Sequence, residues 1–253
     1  MTVFRNVVFI AAIAGLLSGM VMAGMQTFAT VPLILQAEVY EEAAGGHDHG
    51  SAHNMPGMEM SASATAEAAA PAEEEEAWAP ADGLERFSFT ALANIVTGIG
   101  FALVLVAVSE MAGGIAGWRQ GVFWGFAGFA VFTLAPGLGL PPELPAMPAA
   151  DLAARQVWWI GTAVATAAGL GLIASRNSLA FSLLGVALIV APHVIGAPQP
   201  ASHETPIPES LHHQFVVAVN VTNLIFWVVL GALVGIVRGR FTGTAKSLRD
   251  SFA

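Results

Sequence analysis

Recurring apolar stretches of about 20 residues constrain this chain more than any other feature, because a backbone in hydrocarbon must satisfy its own amides and does so as a helix. Six such runs are present, roughly Val7 to Leu35, Phe89 to Ala112, Val122 to Leu140, Val157 to Ser175, Leu179 to Ala197 and Phe215 to Val237. The fourth and fifth are short and joined by a tight Arg176-Asn177 turn, so five spans is the alternative count. With 55% hydrophobic and 11% charged residues over 253 positions, no single soluble core could hide the apolar side chains. The expected fold is all-α, a polytopic membrane helical bundle.

Four regions follow: a first transmembrane helix (1–35), a disordered loop rich in His, Met and acids (36–87), a bundle of five further helices (88–237) and a basic tail (238–253). Twelve of the eighteen acids lie between Glu38 and Glu85, so the net charge of -9 describes that loop and not the whole chain. Arg5 before an apolar run could mark a signal peptide, but the run exceeds a usual h-region of ~7–15 residues, so an uncleaved span is expected.

Basic residues set the orientation. With the amino terminus inside, Arg5, Arg119, Arg176, Arg238, Arg240, Lys246 and Arg249 are cytoplasmic, and only Arg86 and Arg155 are outside. Six spans return the carboxyl terminus to the cytoplasm as well. Every histidine then falls in an outer loop or near an outer helix end.

The loop segment GGHDHGSAHNMPGMEM (Gly45 to Met60) gathers imidazoles, carboxylates and thioethers. His47, Asp48, His49, His53, Met55, Met58 and Met60 are candidate metal ligands, a mixture suited to a borderline or soft transition metal. The solvated linker is the bland alternative, and it fits the acidic run Glu73 to Glu76 well. A second group, His203, His212 and His213, lies in the last outer loop, and His193 beside Pro192 sits where a broken helix end could line a cavity. His193 can equally be a hydrogen-bonded structural histidine. Glu38, Asn94, Asn220 and Asn223 are candidates for a substrate path, since polar groups in a membrane need partners. Gln26 and Glu110 are also polar positions within or near spans; Glu110 can simply reach headgroups.

Small residues at four-residue spacing allow close helix approach: Gly117, Gly121 and Gly125; Gly161, Ala165 and Gly169; Gly231, Gly235 and Gly239. Absent cysteine excludes disulfides and thiolate metal sites. No GxxxxGK[ST], HExxH or GxSxG pattern occurs, so neither nucleotide hydrolysis nor hydrolase chemistry is expected, and nothing points to nucleic acid.

Several long strings carry a resemblance over essentially the whole chain: PLILQAEVYE (Pro32 to Glu41), WAPADGLER (Trp78 to Arg86), GLPPELPAMPAADLAARQVWW (Gly139 to Trp159), APHVIGAPQP (Ala191 to Pro200) and TNLIFW (Thr222 to Trp227). In these the chain resembles the CbtA family, proposed cobalt transporter subunits of bacteria. The resemblance implies Co2+ as the transported ion with no resident cofactor, a role serving cobalamin synthesis, an inner-membrane location, and a small single-span companion subunit, CbtB, with a histidine-bearing tail. It supplies no established site residues, and the family is often described with five spans. The alternative reading is a metal-binding accessory or sensor that hands cobalt, nickel or copper to another permease.

Metal ligands must be unprotonated, and free imidazole protonates near pH 6.5. A peptide spanning Gly45 to Met60 is therefore predicted to bind Co2+ at about pH 7.5 and to lose most of that affinity at about pH 5; isothermal titration at the two pH values checks it.

Overall fold

In a computed structural model of the protein, residues 2–45, 80–81, 83–175 and 178–250 are described. The elements are α1 (Thr2–Ala29), α2 (Val31–Gly45), α3 (Leu84–Met111), α4 (Trp118–Phe129), a π-turn (Ala130–Leu134), α5 (Ala135–Gly139), α6 (Leu152–Ser175), α7 (Leu179–Ile195) and α8 (Glu209–Asp250). The all-α expectation holds. Among the described residues, five segments are long and apolar enough to cross a membrane: Phe4–Ala29, Leu84–Met111, Trp118–Gly139, Leu152–Ala174 and Glu209–Arg240. The sixth apolar helix, α7, has 17 residues and spans about 25 Å at 1.5 Å per residue, a few ångströms short of a typical hydrocarbon core. The two span counts thus differ over this one helix. The fourth run proves to be a full 24-residue helix, so of the pair expected to be short only α7 is.

The first run is not one helix to Leu35. Pro32 has no N–H to return to the Phe28 carbonyl, and the helix breaks at Thr30. The Thr30 carbonyl accepts from both Leu33 and Ile34, which starts α2. The last run is longer than expected at both ends, because α8 begins at Glu209 and continues to Asp250 through the segment read as a tail.

A second proline shapes the third run. Pro136 cannot donate to the Phe132 carbonyl, and the turn ahead of it widens, with the Ala135 N–H reaching back to the Ala130 carbonyl. The widened turn turns Thr133 toward the core, where its hydroxyl accepts from the Trp227 indole at 3.3 Å. Trp227 is buried, stacks on Phe132 at 5.5 Å and meets Phe101 at 4.8 Å. Ile10, Ala14, Leu105, Val106, Leu230 and Val234 complete that core.

Apolar burial between helices contributes little drive inside lipid, so close packing must hold the bundle. It occurs at glycine. A Cβ on Gly98 would fall 2.6 Å from the Gly15 carbonyl oxygen, joining α1 to α3, and one on Gly185 would fall 2.6 Å from the Gly169 carbonyl, joining α6 to α7. Gly121, Gly125, Gly231 and Gly235 pack α4 on α8 with backbone against backbone. Of the three expected stripes, the first is close-packed at Gly121 and Gly125 and offers only its backbone at Gly117, the second is used at Gly169 and not at Gly161, and the third at Gly231 and Gly235. Gly15, Gly19 and Gly98, which the stripes omit, make a third seam. The α6–α7 hairpin meets the other helices mainly through α5 and the π-turn. Where it diverges from α3 and α4, it leaves an apolar cavity of about 420 Å³ lined by Phe101, Val108, Phe123, Trp124 and Leu170, among others.

Gly121→Val pushes a branched side chain into the Gly231 backbone, and overpacking of this kind costs roughly 1–3 kcal/mol. The variant should melt well below the parent in detergent. Gly161→Ala, facing open space, should melt at or slightly above it.

Candidate functional site

Antiparallel succession of the helices puts the carboxyl ends of α1 and α7 and the amino ends of α3, α6 and α8 at one end of the bundle. Side-chain contacts tie this end together. Arg86 at the start of α3 pairs with Glu38 on α2 at 3.0 Å, and Arg155 at the start of α6 pairs with Glu143 at 2.9 Å. His212 Nε2 lies 3.1 Å from the Pro142 carbonyl oxygen, and the Thr205 hydroxyl donates to the Ala146 carbonyl. Ala146 holds a positive φ of 62°, and Leu144 beside it packs with Ala37, Ile207, Leu211 and Phe215. The Pro- and Leu-rich segment after α5 therefore forms a cap beneath the start of α8.

At the opposite end, Arg238 on α8 donates to Glu110 at 2.6 Å and to the Ile115 carbonyl at 2.7 Å. Glu110 does not merely reach outward; it fixes the end of α3 to α8. Arg119 sits over the Trp118 ring at 5.5 Å.

The candidate ligands separate into three sets. His47, Asp48, His49, His53, Met55, Met58 and Met60 lie outside the described residues. His193, His203, His212 and His213 all lie at the cap end, on α7, in the α7–α8 connection and on the first turn of α8. They are not drawn into one cluster: among the described residues no group of three or more His, Asp or Glu side chains is spaced to hold one ion. His203 and His213 are exposed. The His193 ring is bracketed by carbonyls, Nδ1 lying 3.1 Å from Ile189 and Nε2 3.0 Å from Ala135, with Trp158 edge-on at 6.0 Å. It thereby bridges α7, which has Pro192 inside it, to α5, which has Pro136 in its first turn.

Of the path candidates, Glu38 is ion-paired as above, and Asn94 donates to the Gln26 side-chain oxygen at 2.6 Å, joining α1 and α3. Asn220 and Asn223 return their amides to their own helix, to Val216 and Val219. Hydrogen bonding thus draws Asn94 to Gln26 and holds the other two asparagines to α8. Two polar residues outside the sequence-predicted candidates stand out: Thr162 and Thr166 on α6 are buried, and their hydroxyls have no hydrogen-bond partner among the described residues. Their i, i+4 spacing in an apolar helix was the available signal.

Long apolar helices sealed by glycine seams, with charged pairs confined to the two ends, define a polytopic α-helical membrane protein. A family model described as "Probable cobalt transporter subunit (CbtA)" matches residues 4–238. The chain belongs to the CbtA family. Comparison with curated proteins and with solved structures gives no match.

Asn94→Leu leaves the Gln26 amide facing an apolar neighbour. Interhelical hydrogen bonds in membranes are worth about 0.6 kcal/mol, up to roughly 1.7. A modest fall in melting temperature is expected in detergent, and melting unchanged from the parent would show that the bond contributes nothing.

Proposed function

We propose that the chain is the membrane-spanning subunit of a cobalt uptake system in the bacterial inner membrane, with both termini cytoplasmic and the His/Met loop collecting Co2+ outside. The single observation that carries this is the family match over residues 4–238. The distribution of basic residues along the sequence supports the orientation, with seven in segments expected inside and two, Arg86 and Arg155, in segments expected outside. On this reading His47, Asp48, His49, His53, Met55, Met58 and Met60 concentrate the ion, and His203, His212 and His213 receive it at the cap. Glu38 and Asn94, with Asn220 and Asn223 on α8, flank its entry to the bundle, and His193 marks the level at which the helices are broken.

A loop of pliable glycines with mixed donors suits weak capture and release better than a rigid cage. Energy comes from an ion gradient, the membrane potential or a partner, since no phosphate-binding loop is present. A small single-span companion completes the system, and the chain is not itself an enzyme. The lack of a three-ligand group among the described residues favours a second reading, a metal-binding accessory that hands cobalt, nickel or copper to another permease.

Uptake of labelled cobalt by cells expressing the protein and its companion should exceed that of cells lacking them, and equal uptake contradicts transport. Deleting residues 45–60 separates the two readings. A transporter keeps its uptake at high cobalt, because the loop only concentrates ions; an accessory loses its whole effect.

A further inference from the structure

The large cavity is a poor place for an ion, since its lining is apolar apart from Gln120 and the indole N–H groups of Trp124 and Trp227, which donate and cannot ligate. Oxygen atoms without partners lie elsewhere, in the seam between α6 and α7. Thr162 and Thr166 are 0% and 2% exposed, and neither hydroxyl has a hydrogen-bond partner among the described residues. Buried hydroxyls on the other helices behave differently. Those of Ser18, Ser109 and Thr222 return to carbonyls of their own helices at 2.8 Å. That back-bond is the default for a hydroxyl within a helix, so the two α6 threonines depart from it.

Register shows what they face. Gly169 and Gly185 meet across the seam, and Gly169 also packs against Ile189. The helices run antiparallel, so one turn from Gly169 toward the cap, Thr166 lies level with Leu188 and Ile189, and a further turn places Thr162 level with Pro192. The Trp158 indole, one turn beyond Thr162, donates to the Pro192 carbonyl at 3.3 Å, consistent with this register. Pro192 lies inside α7 and has no N–H, so it withdraws from the Leu188 carbonyl the donor that a regular helix would supply. By this register the Thr166 hydroxyl lies level with the released carbonyl, and the Thr162 hydroxyl follows one turn nearer the cap. That level is close to the midpoints of Leu152–Ser175 and Leu179–Ile195, hence near the middle of the membrane.

Interrupted helices at mid-membrane that offer free backbone oxygens are where transporters hold their ions, and unpaired polar groups are otherwise costly there. We propose that Thr162, Thr166 and the Leu188 carbonyl form an oxygen-lined step through which a partly hydrated divalent cation passes between α6 and α7. The step rests on the transport reading above and extends it by locating the crossing. Neutral oxygens replace part of the ion's water shell, and with no carboxylate in the set the ion is held weakly enough to leave. Capture at the loop and passage at the threonines are then separate events on different residues.

Thr162→Val with Thr166→Val keeps shape and removes both hydroxyls. For hydroxyls that bond nothing, this exchange leaves melting temperature unchanged or raises it, because two buried unsatisfied groups are lost. Labelled-cobalt uptake by the full-length protein with its companion should nevertheless fall by about tenfold or more. The Thr162→Ser, Thr166→Ser protein, which retains both hydroxyls, should keep most of its uptake. Uptake by the valine protein equal to the parent's overturns the step, as does a lowered melting temperature, which would mark the hydroxyls as structural bonds. If the unmodified protein moves no cobalt, the transport reading fails and takes the step with it; an active parent with an equally active valine variant removes the step alone.

Discussion

The architecture depends on contact between backbones at glycine. In lipid the flanking side chains gain little from being hidden, and a helix pair is held by dispersion over the closely matched surfaces that missing Cβ atoms permit. Three seams, α1 with α3, α4 with α8 and α6 with α7, build the bundle from pairs. Two of the pairs share a core through α1 and α8, with Trp227 at its centre. The third hangs on α5 and the π-turn. That asymmetry puts the hairpin that carries Pro192 on the least extensive attachment.

Charge then fixes the ends. Arg238 with Glu110 and the Ile115 carbonyl closes one end, while Arg86 with Glu38 and Arg155 with Glu143 close the other. These pairs are partly exposed, so their worth is in register more than in stability. Their placement keeps the four described histidines together at one end without gathering them round an ion. A protein that passes metal onward has reason to keep its donors dispersed, since a complete cage would retain what it captured.

Much of this was legible in the sequence, and the misses have physical causes. Apolar run length gave the helices, and the α4–α8 glycines announced themselves by spacing. Pro32 and Pro136 were visible as residues, yet whether a proline ends a helix, as at Thr30, or is absorbed by a widened turn, as at Ala130–Leu134, depends on what neighbouring helices supply. Gly15, Gly19 and Gly98 escaped notice because a glycine becomes a contact only when its partner helix is known. The asparagines looked alike by depth, and only geometry separates Asn94, bonded across to Gln26, from Asn220 and Asn223, bonded to α8. Thr162 and Thr166 are unremarkable in a string of Ala, Thr and Gly. Their meaning comes from Pro192, 26 residues beyond Thr166, brought level with them by the hairpin.

Sidedness is the claim on which the functional account turns, and the natural absence of cysteine makes it directly measurable. Single cysteines at Ala201, in the exposed α7–α8 connection, and at Ala112, in the exposed turn after α3, sample the two ends. Treated on intact cells with a membrane-impermeant maleimide, the Ala201→Cys protein should be labelled, and the Ala112→Cys protein should react only after lysis. Labelling of Ala112→Cys on intact cells with Ala201→Cys protected would turn the histidine-bearing end toward the cytoplasm and contradict capture of metal from outside.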